Sequence, residues 1–131
     1  MTRTTAQMRL NAHKREIARD YPHQVALPDF MCCEENYKTI ANFCSANGLQ
    51  FKTMPVWTKW ANHKTVEYRL HCFRSRKDAE TFANHFDGEH FNSKTDREGG
   101  KVDGAWIRLA EWKPIERCGP LEVPKFFREN P

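Results

Sequence analysis

Between residues 52 and 74 the chain interleaves cations with flat rings. Lys52, Trp57, Lys59, Trp60, His63, Lys64, Arg69, His71, Phe73 and Arg74 all fall in this stretch, against one acidic residue, Glu67. Cationic side chains steer and neutralise phosphates, and aromatic rings stack on unpaired bases, so the mixture suits a single-stranded nucleic acid. The same rings on an open sheet face suit a protein partner, because a large apolar patch is rarely left in water. The RNA-recognition motif has a basic residue, a glycine and alternating aromatics on one strand. Here that strand reads T-V-E-Y-R-L-H-C-F, without the glycine and with one outward aromatic. We therefore expect a protein partner ahead of a nucleic acid.

Other groupings carry less chemistry. His85, Asp87, Glu89 and His90 form the densest cluster of potential metal ligands. A helical metal site wants two histidines four apart on one face, whereas these stand five apart across Gly88, so the cluster reads as a polar helix end. Cys32-Cys33 is neither C-x-x-C nor a zinc-knuckle spacing. Glu98-Gly99-Gly100-Lys101-Val102 has glycine and lysine but not the G-x-x-x-x-G-K-[ST] phosphate loop, and reads as a turn. G-x-S-x-G and H-E-x-x-H do not occur. No catalytic residue, metal ligand or cofactor is assigned on these grounds, and the expectation is a non-enzymatic protein.

The elements that must position these residues are well signalled in the middle of the chain. Val66, Tyr68, Leu70 and Cys72 alternate with Glu67, Arg69, His71 and Phe73, the period-two pattern of a strand. If the first set points inward, Arg69, His71 and Phe73 face outward. Ser75 then caps a helix with Asp78 at capping-box spacing, Ala79, Phe82, Ala83 and Phe86 form its apolar stripe, and Gly88 stops it. A similar stripe of Tyr37, Ile40, Ala41 and Cys44 predicts a helix over 34–47, ended by Asn47-Gly48. Residues 50–60 are extended with Pro55 inside, which places that strand at an edge or a bulge. It forms a hairpin with the strand over 66–73.

The flanks are weaker. Thr4 and Gln7 have capping-box spacing, and Ala6, Leu10, His13 and Ile17 share a thin stripe, predicting a weak helix decorated by Arg3, Arg9, Lys14, Arg15 and Arg19. Pro22 and Pro28 bracket a short extended piece, and Asp29 to Cys33 is the first candidate strand. Residues 89–92 form a short strand and 105–112 another, with Trp106 and Trp112 on one face and Ile107 and Leu109 on the other. Pro114, Pro120 and Pro124 make the end irregular, anchored by Phe126 and Phe127.

Strand, helix, hairpin, helix, strand is the order of an α+β ferredoxin-like (split βαβ) sandwich, with two helices on one face of an antiparallel sheet. We expect a basic N-terminal arm over 1–28, one α+β domain over 29–113, and a Pro-rich tail over 114–131 packed on the core.

Composition sets the class. With 39% hydrophobic and 29% charged residues in 131, the chain is globular and of one-domain size. The net charge of +4 is uneven: residues 1–28 carry five basic and two acidic side chains, and residues 51–74 five and one. That imbalance suits an anionic partner. No apolar run approaches the ~20 residues of a membrane span, and the polar N-terminus lacks a signal-peptide core, so a cytoplasmic location without membrane is expected. Five cysteines, with Cys44 and Cys72 on apolar stripes, read as reduced structural thiols. The functional expectation is a small interaction domain that self-associates, as a homodimer, or binds a protein through an aromatic sheet face. The alternative is a nucleic-acid-binding domain using the arm and the hairpin over 51–74.

Overall fold

A computed structural model describes residues 5–130, and Arg3 and Thr4 lie outside that range. The described chain is α+β, with four helices and a curled, mixed five-stranded sheet. Helix α1 (Ala6–Asp20) leads into strand β1 (His23–Pro28), a short 3₁₀ turn at Asp29–Cys32, and helix α2 (Glu35–Ala46). Strands β2 (Lys52–Lys59) and β3 (Thr65–Phe73) form a hairpin, followed by helix α3 (Arg76–Phe86) and strands β4 (Glu89–Phe91) and β5 (Trp106–Ile107). A small β6–β7 hairpin (Arg117–Cys118, Leu121–Glu122) and helix α4 (Lys125–Glu129) close the chain.

Helix α3 forms as its residues dictate. The Ser75 hydroxyl accepts from the Asp78 N–H at 3.1 Å, and Ala79, Phe82, Ala83 and Phe86 are all buried. Its end differs from expectation. Asp87, not Gly88, takes the left-handed capping conformation (φ 56°). Gly88 is needed for close approach instead, since a Cβ there would lie 2.5 Å from Val25 Cγ1. Helix α2 also forms, but its buried face is Asn36, Ile40 and Cys44, whereas Tyr37 is 63% exposed. The helix is turned because Asn36 finds partners: its amide donates to the Met31 and Glu122 carbonyls at 3.0 and 2.7 Å. In α1 the cap is Thr5, which accepts from Met8 N–H, and of the expected stripe only Ile17 is buried.

The strand order is β4-β1-β3-β2-β5. Neighbours are antiparallel except β2 and β5, which run parallel, so the sheet is mixed, not purely antiparallel. The strand expected at Asp29–Cys33 lies earlier, at His23–Pro28, and is flanked on both sides. Pro28 is tolerated because it closes the strand, opposite Tyr68, where a missing N–H costs little. Pro55 sits in register with Arg69, and its carbonyl accepts from Arg97 at 3.2 Å, so its missing N–H faces away from β3. The predicted strand over 105–112 shortens to two residues.

Both faces of β1 and of the 68–73 half of β3 are covered, and this corrects the open face expected there. Val25, Leu27 and Phe73 pack with Ile40 and Cys44 of α2 and with the α3 stripe. Ala26, Met54, Val56, Tyr68, Leu70 and Cys72 pack on the other side, under Ile17 of α1, Phe91 and Trp106. His71 and Phe73 therefore lie buried on the α2/α3 side, 2% and 0% exposed. The alternation is present, but β3 is flanked by β1 and β2, and such a strand is buried on both faces once each is covered. The tail packs through Cys118 and Leu121, while Phe126 is exposed and Phe127 meets Phe30 edge-on. Among the described residues no helix is long and apolar enough to cross a membrane.

Candidate functional site

Beyond the end of α2 the helix-side face of the hairpin is bare. Register places Trp57 opposite Glu67 and Lys59 opposite Thr65, and the parallel pairing places Ile107 beside Lys59. Side chains alternate along a strand, so Trp57, Lys59 and Ile107 share one face while Met54, Val56 and Thr58 point into the core. Trp57 is 52%, Ile107 48% and Leu109 93% exposed.

The turn over 98–104 forms the opposite wall of a cleft of about 800 Å³, whose floor holds Trp57, Lys59 and Thr65. Gly99 and Gly100 both take φ near +65°, which only glycine adopts without strain. The turn is held by Arg97, 4% exposed, whose guanidinium donates to the Gly104 and Pro55 carbonyls at 2.9 and 3.2 Å and lies over the Phe91 ring. Burial pushes its pKa down. The charges around the cleft balance: Lys59 and Lys101 stand against Glu98 and Asp103.

Of the ten residues singled out in the sequence, Trp57 and Lys59 line this cleft. His63 and Lys64 lie nearby in the hairpin turn, with Lys64 Nζ 5.4 Å from the Trp112 ring centre. Trp60 is half-buried and internally committed. Its Nε1 donates to Thr58 Oγ1 at 2.7 Å, and Arg108 is sandwiched between Trp60 and Trp106 at 4.4 and 4.1 Å. Lys52 is exposed at the other end of β2, and Arg74 lies over the Tyr21 ring. Arg69 is ion-paired to Asp29 at 2.8 Å. Burial is the largest single influence and lowers the Arg69 pKa, but the Asp29 carboxylate together with the neighbouring Cys32 and Cys33 raises it, and the net shift is upward. Arg97, Ile107 and Leu109 were not among the candidates. The outward alternation of Ile107 and Leu109 was the signal for two of them; Arg97 had none, since its acceptors come from β2 and from residue 104.

A second, smaller and partly open cavity of about 130 Å³ lies between α2 and the sheet, walled by Tyr37, Ile40, Phe51, Arg69 and His71 among others. The His71 ring packs against Phe82 and Phe51 at 4.7 and 5.4 Å, and its buried Nδ1 has no hydrogen-bond partner. Burial, with the nearby Arg69 charge, pushes its pKa down to about 3. Cys32 on the same wall donates to the Pro28 carbonyl, and burial raises it to about 12.

The cluster at the end of α3 disperses. His85 stacks on Phe43 at 3.9 Å, Glu89 pairs with Arg108 at 2.8 Å, and Asp87 caps the helix. Among the described residues no group of three or more His, Cys, Asp or Glu side chains is placed to hold a metal ion. Comparison of the chain with family models, with curated proteins and with solved structures gives no match.

Proposed function

We propose that this chain is a non-enzymatic binding module whose working surface is the strip formed by Trp57, Lys59, Ile107 and Leu109, and that its partner is a second copy of itself. The observation that carries this is the exposure of three large apolar side chains around one sheet edge. Apolar patches of that kind mark association sites, and a short edge strand offers unpaired backbone groups to another strand. Lys59 and Lys101 share the cleft with Glu98 and Asp103, two cations and two anions. A surface that carries both signs in balance can face a copy of itself across a two-fold axis, the commonest symmetry of soluble oligomers. The scaffold is read as a split βαβ unit, supported by the antiparallel order β4-β1-β3-β2 with β5 added beyond it. Four buried free thiols support a reducing, cytoplasmic setting.

Sedimentation equilibrium of the full chain tests the proposal. A dimer is expected in the micromolar range, and Leu109→Lys with Ile107→Lys should weaken it at least ~10-fold, about 1.4 kcal/mol. A monomer at ~500 µM wild-type protein, an affinity too weak for any specific interface, sinks the reading.

The nucleic-acid alternative has its support elsewhere. Arg15, Arg19, Lys94 and Lys101 line a groove of about 670 Å³ between α1 and the loop after β4, with Asp103 as the acidic residue in its wall. Its mark is anisotropy of labelled single strands that rises with protein and falls steeply with salt. Lys94→Glu and Lys101→Glu should flatten the slope of log affinity against log salt by about 1.4 for two lost phosphate contacts. Binding that ignores salt and both changes rules the groove out.

A further inference from the structure

We propose that the groove between α1 and the loop after β4 is a site for a compact multivalent anion, the oligophosphates being the class that fits it. This stands independently of the self-association reading. Asn11, Arg15, Ala18 and Arg19 recur at helical spacing, so α1 turns one stripe toward the groove. The loop brings Ser93 and Lys94 from one end and residues 100–103 from the other. Helix and loop are joined where the Asn11 amide donates to Asp103 Oδ2 at 3.5 Å. The groove thus gathers Arg15, Arg19, Lys94 and Lys101 from separate parts of the chain around one carboxylate, Asp103.

Charge that the protein does not neutralise selects the occupant. Arg19 is paired with Asp20 at 2.9 Å. Among the described residues Arg15, Lys94 and Lys101 enter no ion pair. All three are exposed, so their cationic ends are open to a ligand. Like charges held around one concavity repel, and an anion seated among them replaces that repulsion with attraction. A monovalent anion answers one cation, whereas a short chain of phosphates answers all of them. The volume of about 670 Å³ is that of a small-molecule site. Among the described residues no aromatic side chain lines it, so an unpaired base finds no ring to stack on. The phosphates recognised are then free ones, not those of a nucleic-acid strand.

The test is backbone-amide NMR of the full chain titrated with tripolyphosphate, with sulfate, and with a thymidine tetranucleotide that carries as many phosphates as the first. We expect saturable shifts at Arg15, Ser93, Lys94 and residues 100–103, with a tripolyphosphate dissociation constant on the order of 100 µM at low salt. Sulfate and the tetranucleotide should each bind at least ~10-fold more weakly, the first for want of charge and the second for want of stacking. Lys94→Gln with Lys101→Gln should weaken tripolyphosphate at least ~5-fold, about the most that one exposed ion pair contributes. Lys38→Gln with Lys52→Gln removes the same charge from exposed positions on α2 and β2, outside the groove, and should leave binding unchanged. Shifts that do not saturate by ~5 mM, far above that dissociation constant, overturn the proposal. A tetranucleotide or sulfate that binds as tightly as tripolyphosphate overturns it as well. So does an equal loss in the two double variants, which would mean attraction to net charge alone.

Discussion

Lowering the pH from about 7.5 to about 4.5 acts on the buried imidazole of His71 through linkage. In the folded chain its pKa is pushed down from 6.5 to about 3, first by burial and then by the Arg69 charge. Below pH ~6.5 the unfolded chain takes up a proton that the folded chain refuses until about pH 3. Stability contributed by this group is therefore complete above pH ~6.5 and is lost progressively as the pH falls toward about 3. At pH 4.5 the solution lies about two units below the unfolded value, which corresponds to about 3 kcal/mol of lost stability. For a domain of this size that lowers Tm by about 10 °C. Urea unfolding followed by tryptophan fluorescence, at both pH values, for wild type and His71→Phe, isolates the effect. Every other titrating group is common to the two proteins and cancels. His71→Phe should match the wild type at neutral pH, since Nδ1 loses no partner there. At low pH the variant should be the more stable by about 3 kcal/mol. Parallel pH profiles of the two proteins would refute a neutral, buried His71.

Phe82, fully buried against His71, Phe73 and Phe86, should cost ~3–5 kcal/mol on truncation to alanine, and a loss under ~1 kcal/mol would contradict its place in the core. Asp87→Gly should raise stability by ~0.5–1 kcal/mol in the same assay by relieving the left-handed cap, whereas Gly88→Ala should lower it by ~1–3 kcal/mol through contact with Val25. Opposite signs at adjacent positions separate conformational freedom from close approach. Ellman's reagent should label Cys33 alone in the folded chain and slowly, and all five thiols in denaturant. Burial holds Cys32 and Cys72 near 12 and Cys44 and Cys118 near 11, and raises the half-exposed Cys33 less. Rapid labelling of more than one thiol in the native state would show that these side chains are not buried.

Where the information was local, it could be read from residue order. The Ser75 cap, the α3 stripe and the 66–73 alternation all depend on neighbours within a few positions, and each is found, whereas the strand of Pro55 is flanked by β3 and β5 and is unpaired only on the side its missing N–H faces. The candidate cleft was half legible: Trp57 and Lys59 were named, but their partners across it come from residues 98–107. Asn36 illustrates the limit. Nothing in its neighbourhood marks it as buried, and its two acceptors stand five and 86 residues away.

The sequence by itself determined which segments are helices and strands in the middle of the chain, because capping and periodicity are set by short-range geometry. Only the tertiary structure decided which faces are covered. His23–Pro28 becomes a central strand because β3 and β4 pair with it, and the expected open face closes because Ile17, Phe91 and Trp106 arrive from both ends of the chain. Alternation records that a strand has two faces; whether each meets protein or water depends on partners that lie far away in sequence.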